Sequence, residues 1–245
     1  MMRVGTSRRS RGVILGAALS AVVAMLCAGC APGAPAATPT PSFSSPDAAP
    51  SSPSPTPTPD PTRPALAELV LTTEGLGTLV VGEVIAEGTE LSMGQFVENY
   101  CDFGFGTVDP AFDRWTALPE YESSQAVYGG GLAFGLGVDA STSVLDRIDV
   151  FTPEIPTEEG IRFFSTRADV VAAYPAVVPF ESDLTDVFEV PGRQGVVHIE
   201  VSTDDRFADY WPADELDTVI ALRVVSSGIP PFSVAASGNV PPFCS

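Results

Sequence analysis

Half of the prolines of this chain are crowded into one segment. Ala31–Pro64 holds 12 of the 24 prolines in 245 residues, and the remainder of it is mostly Ala, Ser and Thr. Such a segment has too little apolar surface to offset the entropy of ordering it. Its PTPTPDPT run favours extended polyproline II, so the segment reads as a tether reaching on the order of 100 Å. Whatever folds must therefore fold from Ala65 to Ser245, and those 181 residues suit one domain or two small subdomains.

Upstream of the tether, MMRVGTSRRSRG carries Arg3, Arg8, Arg9 and Arg11, and Val13 to Gly29 is then an uncharged run of 17 residues. A basic stretch followed by an apolar one is the pattern of an export signal, and the run falls short of the roughly 20 residues a spanning helix needs. Residues 1–29 are expected to be that signal. Small Ala28 and Gly29 stand directly before Cys30, and here the chain resembles a bacterial lipoprotein with its lipobox. Cys27 occupies the place where Leu is usual, and Leu26 sits one residue early. The resemblance implies cleavage before Cys30, a diacylglyceryl thioether on its sulfur, and palmitate-type acylation. It places the protein at the cell membrane, lipid-anchored and facing the extracytoplasmic side, with residues 30–64 as lipidated cysteine and tether. SRRSR also resembles a twin-arginine signal, but Arg11 and Gly12 stand where that motif has hydrophobic residues, so the export route stays open.

The chain has no Lys, a bias that resembles secreted lipoproteins of high-GC Gram-positive bacteria. Ala65–Ser245 carries 7 Arg against 29 Asp and Glu, a net of 22 negative charges with His198 neutral. Nucleic acid is excluded as a partner, and an anionic lipid surface would repel the domain. Cys101 and Cys244 are the two cysteines of this region, and an even pair in an oxidising compartment reads as a disulfide. Without histidine neighbours they make a poor zinc site.

Strands dominate the expected fold. LAFGLGV alternates Leu132, Phe134, Leu136 and Val138 against Ala133, Gly135 and Gly137, and VVHIEV alternates Val197, Ile199 and Val201 against Val196, His198 and Glu200. VLDRIDVF, DVFEV and TVIALRVV add further strands between Asp, Gly and Pro turns. The clearest helix is TRADVVAAYP, where Thr166 and Asp169 have capping-box spacing and Pro175 ends the run. The class is α+β, with antiparallel sheet packed by few helices. TTEGLGTLVVGEV from Thr72 and TEEGIRFFSTRADV from Thr157 form a degenerate repeat of about 85 residues. With it the chain resembles exported lipoproteins built as tandem helix plus four-stranded-sheet units, the β-lactamase inhibitor protein and SmpA/OmlA group. The resemblance implies units of about 65–153 and 154–245. Those families place Gly before each unit's helix; Gly82 stands there in the first copy and Phe164 and Ser165 in the second.

The inventory of reactive groups is short. GLGTLVVG lacks the third glycine of a dinucleotide fingerprint, since Val80 holds its place, and YGGGLAFGLG precedes no helix that could hold a phosphate. The glycines of that strand read instead as a small-residue face packed closely on another element. His198, the one histidine, shares a strand face with Glu200, but no G-x-S-x-G elbow accompanies it. It reads as a solvated or hydrogen-bonded strand residue. STDDRFADYWPADELD gathers Asp204, Asp205, Asp209, Asp214, Glu215 and Asp217 without the spacing of a calcium loop, and reads as a solvated connection. Tyr210 and Trp211 within it are the candidate partner-binding residues, or equally the loop's own anchor to the core. No catalytic residue, metal site or cofactor is assigned. The expected function is an anchored binding or accessory module of the cell envelope, its partner an unidentified envelope protein or cell-wall ligand. The alternative is an anchored carboxylate-dependent hydrolase. A transporter's solute receptor ranks last, since two α/β lobes need more chain.

Overall fold

Runs of β-branched and aromatic residues build one main sheet. In the computed structural model, residues 63–245 are described apart from 87, 103, 105, 107, 108, 207, 208, 243 and 245. The signal segment, Cys30 and the tether to residue 62 lie outside the described residues. Two short hairpins come first: β1 (Gly75–Leu76) with β2 (Leu79–Val80), then β3 (Gly94–Val97) with β4 (Arg114–Ala117). The main sheet takes β5 (Phe134–Val138), β6 (Leu145–Val150), β7 (Phe180–Glu181), β8 (Thr185–Pro191), β9 (Gly195–Ser202) and β10 (Val219–Ser226). Its order is β5-β6-β10-β9-β8-β7, antiparallel at every pairing. The two described helices are α1 (Arg167–Ala173) and α2 (Val234–Ser237). Antiparallel sheet with few helices is what the alternation predicts. Among the described residues, none of these helices is long and apolar enough to cross a membrane.

Each strand expected from period-two alternation forms, and α1 starts where its cap was read. Thr166 Oγ1 accepts the Asp169 N–H at 3.2 Å, and the Asp169 carboxylate accepts the Thr166 N–H at 2.9 Å. Pro175 then stops it. No α-helix follows Gly82 among the described residues of the first repeat copy, where the resemblance implies one. A second helix forms instead near the C-terminus, in a stretch with no helical period.

The odd-even alternation sorts the sheet into two unlike faces. One face sends Phe134, Leu136, Ile148, Val150, Phe188, Val197, Ile199, Val201, Leu222 and Val224 into the core, beneath α1 and the β1–β2 hairpin segment. At its margin, Tyr121 donates to the Pro64 carbonyl at 2.8 Å. The other face carries Arg147, Asp149, His198, Glu200 and Arg223, all buried. The segment from Ser227 to Cys244, here called the strap, covers it. Gly135 lets the strap approach: a Cβ there would lie 2.5 Å from the Pro241 carbonyl and 2.7 Å from the Phe151 ring. That is the close packing read from LAFGLGV. Cys101 and Cys244 form a disulfide across 143 positions of sequence, pinning the strap's end.

Candidate functional site

Three places on the domain have chemistry to consider. The first is an aromatic surface. The Phe164 N–H donates to the Val219 carbonyl at 2.9 Å and the Val219 N–H returns to the Ser165 carbonyl at 2.8 Å, which clamps the turn before α1 onto β10. The clamp holds Phe164 at φ 67°, a left-handed conformation that costs a bulky residue about 1 to 2 kcal/mol. Its side chain is nonetheless 50% exposed. Phe163 turns inward, with its ring centroid 6.0 Å from that of Phe164 and 6.2 Å from that of Tyr128. Tyr128 is 40% exposed, and its hydroxyl donates to the Ile220 carbonyl at 3.4 Å. Partial burial raises the Tyr128 hydroxyl pKa, with further upward pushes from Glu200, Glu215 and Tyr210. Val127 and Tyr210 are exposed as well, and the Asp217 carbonyl accepts the Arg167 N–H at 2.8 Å, which brings the acidic β9–β10 connection to the start of α1.

The structure separates the two aromatics that the sequence put forward together. Trp211 is the anchor: its indole N–H donates to the Leu184 carbonyl at 2.8 Å, and the ring packs on the Ile220, Ala221 and Val234 cluster. Tyr210 stands edge-on to it at 5.0 Å and faces outward. Asp204, Asp205, Asp209, Asp214 and Asp217 are exposed, as a solvated connection requires. Asp217 pairs with Arg167 at 2.7 Å. Sequence reasoning noted Phe164 only as a departure from the repeat and missed Tyr128, which sits in no motif. The signal for Phe164 was its place in the repeat, at the turn before α1, where a left-handed conformation favours glycine.

The second place is the buried charged face. Arg223 pairs with Glu200 at 2.9 Å, and neither is exposed. Glu200 also accepts from the Val234 and Ala235 amides at 2.9 and 3.2 Å and from the Ser233 and Thr185 hydroxyls at 2.6 and 2.8 Å. Arg147 grips Asp149 and donates to the Asn239 carbonyl at 2.9 Å. The Phe232 ring lies under both guanidiniums, 4.8 Å from Arg147 and 4.4 Å from Arg223. The network is closed by the strap and offers a ligand no access.

His198 lies within it. It is fully buried and neither ring nitrogen has a hydrogen-bond partner among the described residues, so it is not the solvated or bonded strand residue its alternation suggested. Glu189 approaches Nε2 at 3.5 Å and Glu200 follows on the same strand, while Arg223 is its cross-strand neighbour and Phe232 faces its ring at 6.3 Å. Burial first, then Arg223 and Arg147, lower its pKa to about 3. A neutral histidine that would charge on unfolding adds stability that is complete above the ordinary pKa of about 6.5 and declines below it. The loss approaches about 1.4 kcal/mol per pH unit. Between about pH 6.5 and 5 the wild-type Tm should therefore fall faster than that of His198→Gln. Parallel Tm profiles across that window would show that His198 stays neutral in both states or charged in both.

The third place is a cleft of about 660 Å³ where β4 runs past β5. Ile85, Phe96, Trp115, Leu136 and Val138 give it an apolar wall, and Asp113, Arg114, Asp139 and Asp146 give it charges. Its carboxylates are unlike one another. Asp139 Oδ1 accepts from the hydroxyls and amides of Ser141 and Thr142 at 2.6 to 3.0 Å, which lowers its pKa to about 2. Asp146 is half-buried, and that burial, then the charge of Asp139, raises its pKa. Among the described residues, no group of three or more His, Cys, Asp or Glu is arranged to hold a metal ion.

In comparison with known proteins, the chain matches no family model, no curated protein and no solved structure.

Proposed function

We propose that this chain is an extracytoplasmic lipoprotein, held to the cell membrane by acyl chains on Cys30, whose folded part binds an envelope partner and catalyses nothing. One observation carries the reading: Phe164 is displayed half-exposed in a backbone conformation that disfavours it, and Tyr128, which shares the Phe163 ring as a neighbour, is exposed too. Strain of this kind persists where the surroundings impose it, and it clusters at sites of function. Aromatic side chains beside an acidic margin fit a partner with apolar and basic groups, Arg above all. A second copy of so acidic a domain would be repelled. The tandem arrangement is part of the proposal. In its favour, β7–β10 run consecutively through the sheet behind α1 and β6 pairs with β10; against it, β3 and β4 form a separate hairpin that does not pair with β5.

Membrane fractionation tests the anchor. Cys30→Ala should accumulate as an unprocessed precursor or leave the washed membrane, because each buried acyl CH₂ contributes about 0.8 kcal/mol and two or more chains hold stably. Wild-type processing and retention in the variant would remove the lipid from the proposal.

A carboxylate-dependent hydrolase keeps one observation in its favour: two aspartates in one cleft with pKa values pushed apart, as an acid and its ionised companion require. Against it, the hydrogen bonds on Asp139 fix that carboxylate to its own turn. Turnover of a glycoside that Asp146→Asn abolishes would establish the hydrolase.

A further inference from the structure

We propose that the cleft between β4 and β5 binds an organic cation, an amine with an aliphatic or aromatic body. The inference is independent of the aromatic surface, which lies on other residues.

The cleft exists because the sheet is interrupted. β3 and β4 pair with each other and β5 pairs with β6, yet no ladder joins β4 to β5. The seam leaves a space of about 660 Å³, within the usual 300 to 1,000 Å³ of small-molecule sites. Its wall is not that of an ion site. Phe96 and Trp115 meet at 5.5 Å with their planes tilted by 59°, and Leu136 and Ile85 close the apolar side. A hydrated metal ion has no use for such a wall, whereas an organic body fills it.

The charges decide the sign of the ligand. Three carboxylates face one guanidinium, which leaves an excess of negative charge, and the carbonyls of Ala111 at 2.6 Å and Asp113 at 2.7 Å hold Arg114 in place. Asp113 itself accepts the Asn99 amide at 2.7 Å, and Asp139 is engaged by its own turn. Asp146 differs from both, since none of the described side chains donates a hydrogen bond to it or forms an ion pair with it. β5 shifts register against β6 between Gly137 and Val138, opposite Leu145, and Asp146 follows at that irregularity, half-buried in the wall of the cleft. Burial first, then the charge of Asp139, outweigh the pull of Arg147 and work against its ionised form, and a cation seated beside it relieves both. Trp115 and Phe96 in the same wall offer the cation aromatic partners. An anion would meet three carboxylates, and a neutral molecule would leave Asp146 as it is.

The test is calorimetric titration of the purified full-length protein with phenethylamine and with benzyltrimethylammonium, using benzenesulfonate and phenethyl alcohol as anionic and neutral counterparts. Tryptophan fluorescence reports the same titration. Both cations should saturate one site, with Asp146→Asn weakening them about tenfold or more, the worth of one ion-pair contact of about 1.4 kcal/mol. Trp115→Phe should lose the fluorescence change while keeping the calorimetric one. Asn is isosteric with Asp, and an unchanged Tm certifies the variant's fold. Three results would overturn the proposal: no saturable uptake of either cation; equal affinity for phenethyl alcohol, which would make the cleft merely apolar; or cation binding that Asp146→Asn leaves intact, which would be diffuse attraction to an acidic surface.

Discussion

Glu200→Gln should lower the stability of the domain by about 3 to 5 kcal/mol, among the largest effects of any single substitution here. The substitution leaves shape almost unchanged but strips the countercharge from Arg223, which has no exposure through which water could replace it. It also replaces an acceptor of two amides and two hydroxyls with a group that must donate as well as accept. For a domain of this size, about 1 kcal/mol moves Tm by about 2 to 4 °C, so thermal unfolding should shift by about 10 °C. Arg223→Met combined with Glu200→Gln should be milder than Glu200→Gln alone, since it removes the stranded guanidinium while the amide oxygen at 200 still accepts from the strap. A Glu200→Gln protein with the wild-type Tm would mean that the strap opens and lets water reach the pair.

Cys244→Ser should be comparably severe. The bond closes a loop spanning 143 positions, which the chain-entropy treatment values at up to about 4 to 5 kcal/mol. It also ties down the end of the strap that seals the charged face. Once the strap is loose, Phe232 leaves the two guanidiniums and Ser233 to Ala235 leave Glu200, so loss of the bond reaches the network by a second route. Denaturant titration should show a lower midpoint for Cys244→Ser, and a reductant should bring wild type to the same midpoint while leaving the variant unmoved. A midpoint equal to that of wild type would show that packing alone holds the strap.

The two faces of the main sheet show what could be read in advance. Ile199, Val201, Leu222 and Val224 announce their strands by alternation, because the face they build is apolar and the period is visible in the residues themselves. His198, Glu200 and Arg223 alternate equally well, but a polar residue at every second position normally means water. Here it means burial, and the cause lies elsewhere in the chain, in a strap whose only sequence signal was the paired Cys244. α1 was legible through Thr166 and Asp169, since a capping box is local chemistry. The cleft was not, because its walls come from Ile85, Phe96, Trp115 and Asp146, which only tertiary packing brings together. Tyr210 and Trp211 were adjacent candidates, and only the Leu184 carbonyl, a non-local acceptor, assigned Trp211 to the interior.

Quantitative capture from native membranes, comparing wild type with the double variant Phe164→Gly, Tyr210→Ser, tests most directly whether the aromatic surface is what the domain binds with. Gly suits the left-handed turn at position 164 and both side chains are substantially exposed, so the variant should keep its stability to within about 1 kcal/mol. The expected result is an envelope component with a basic surface, enriched by wild type, lost with the folded variant, and released as salt rises and screens its charges over about 8 to 10 Å. Identical enrichment by the two proteins would contradict it.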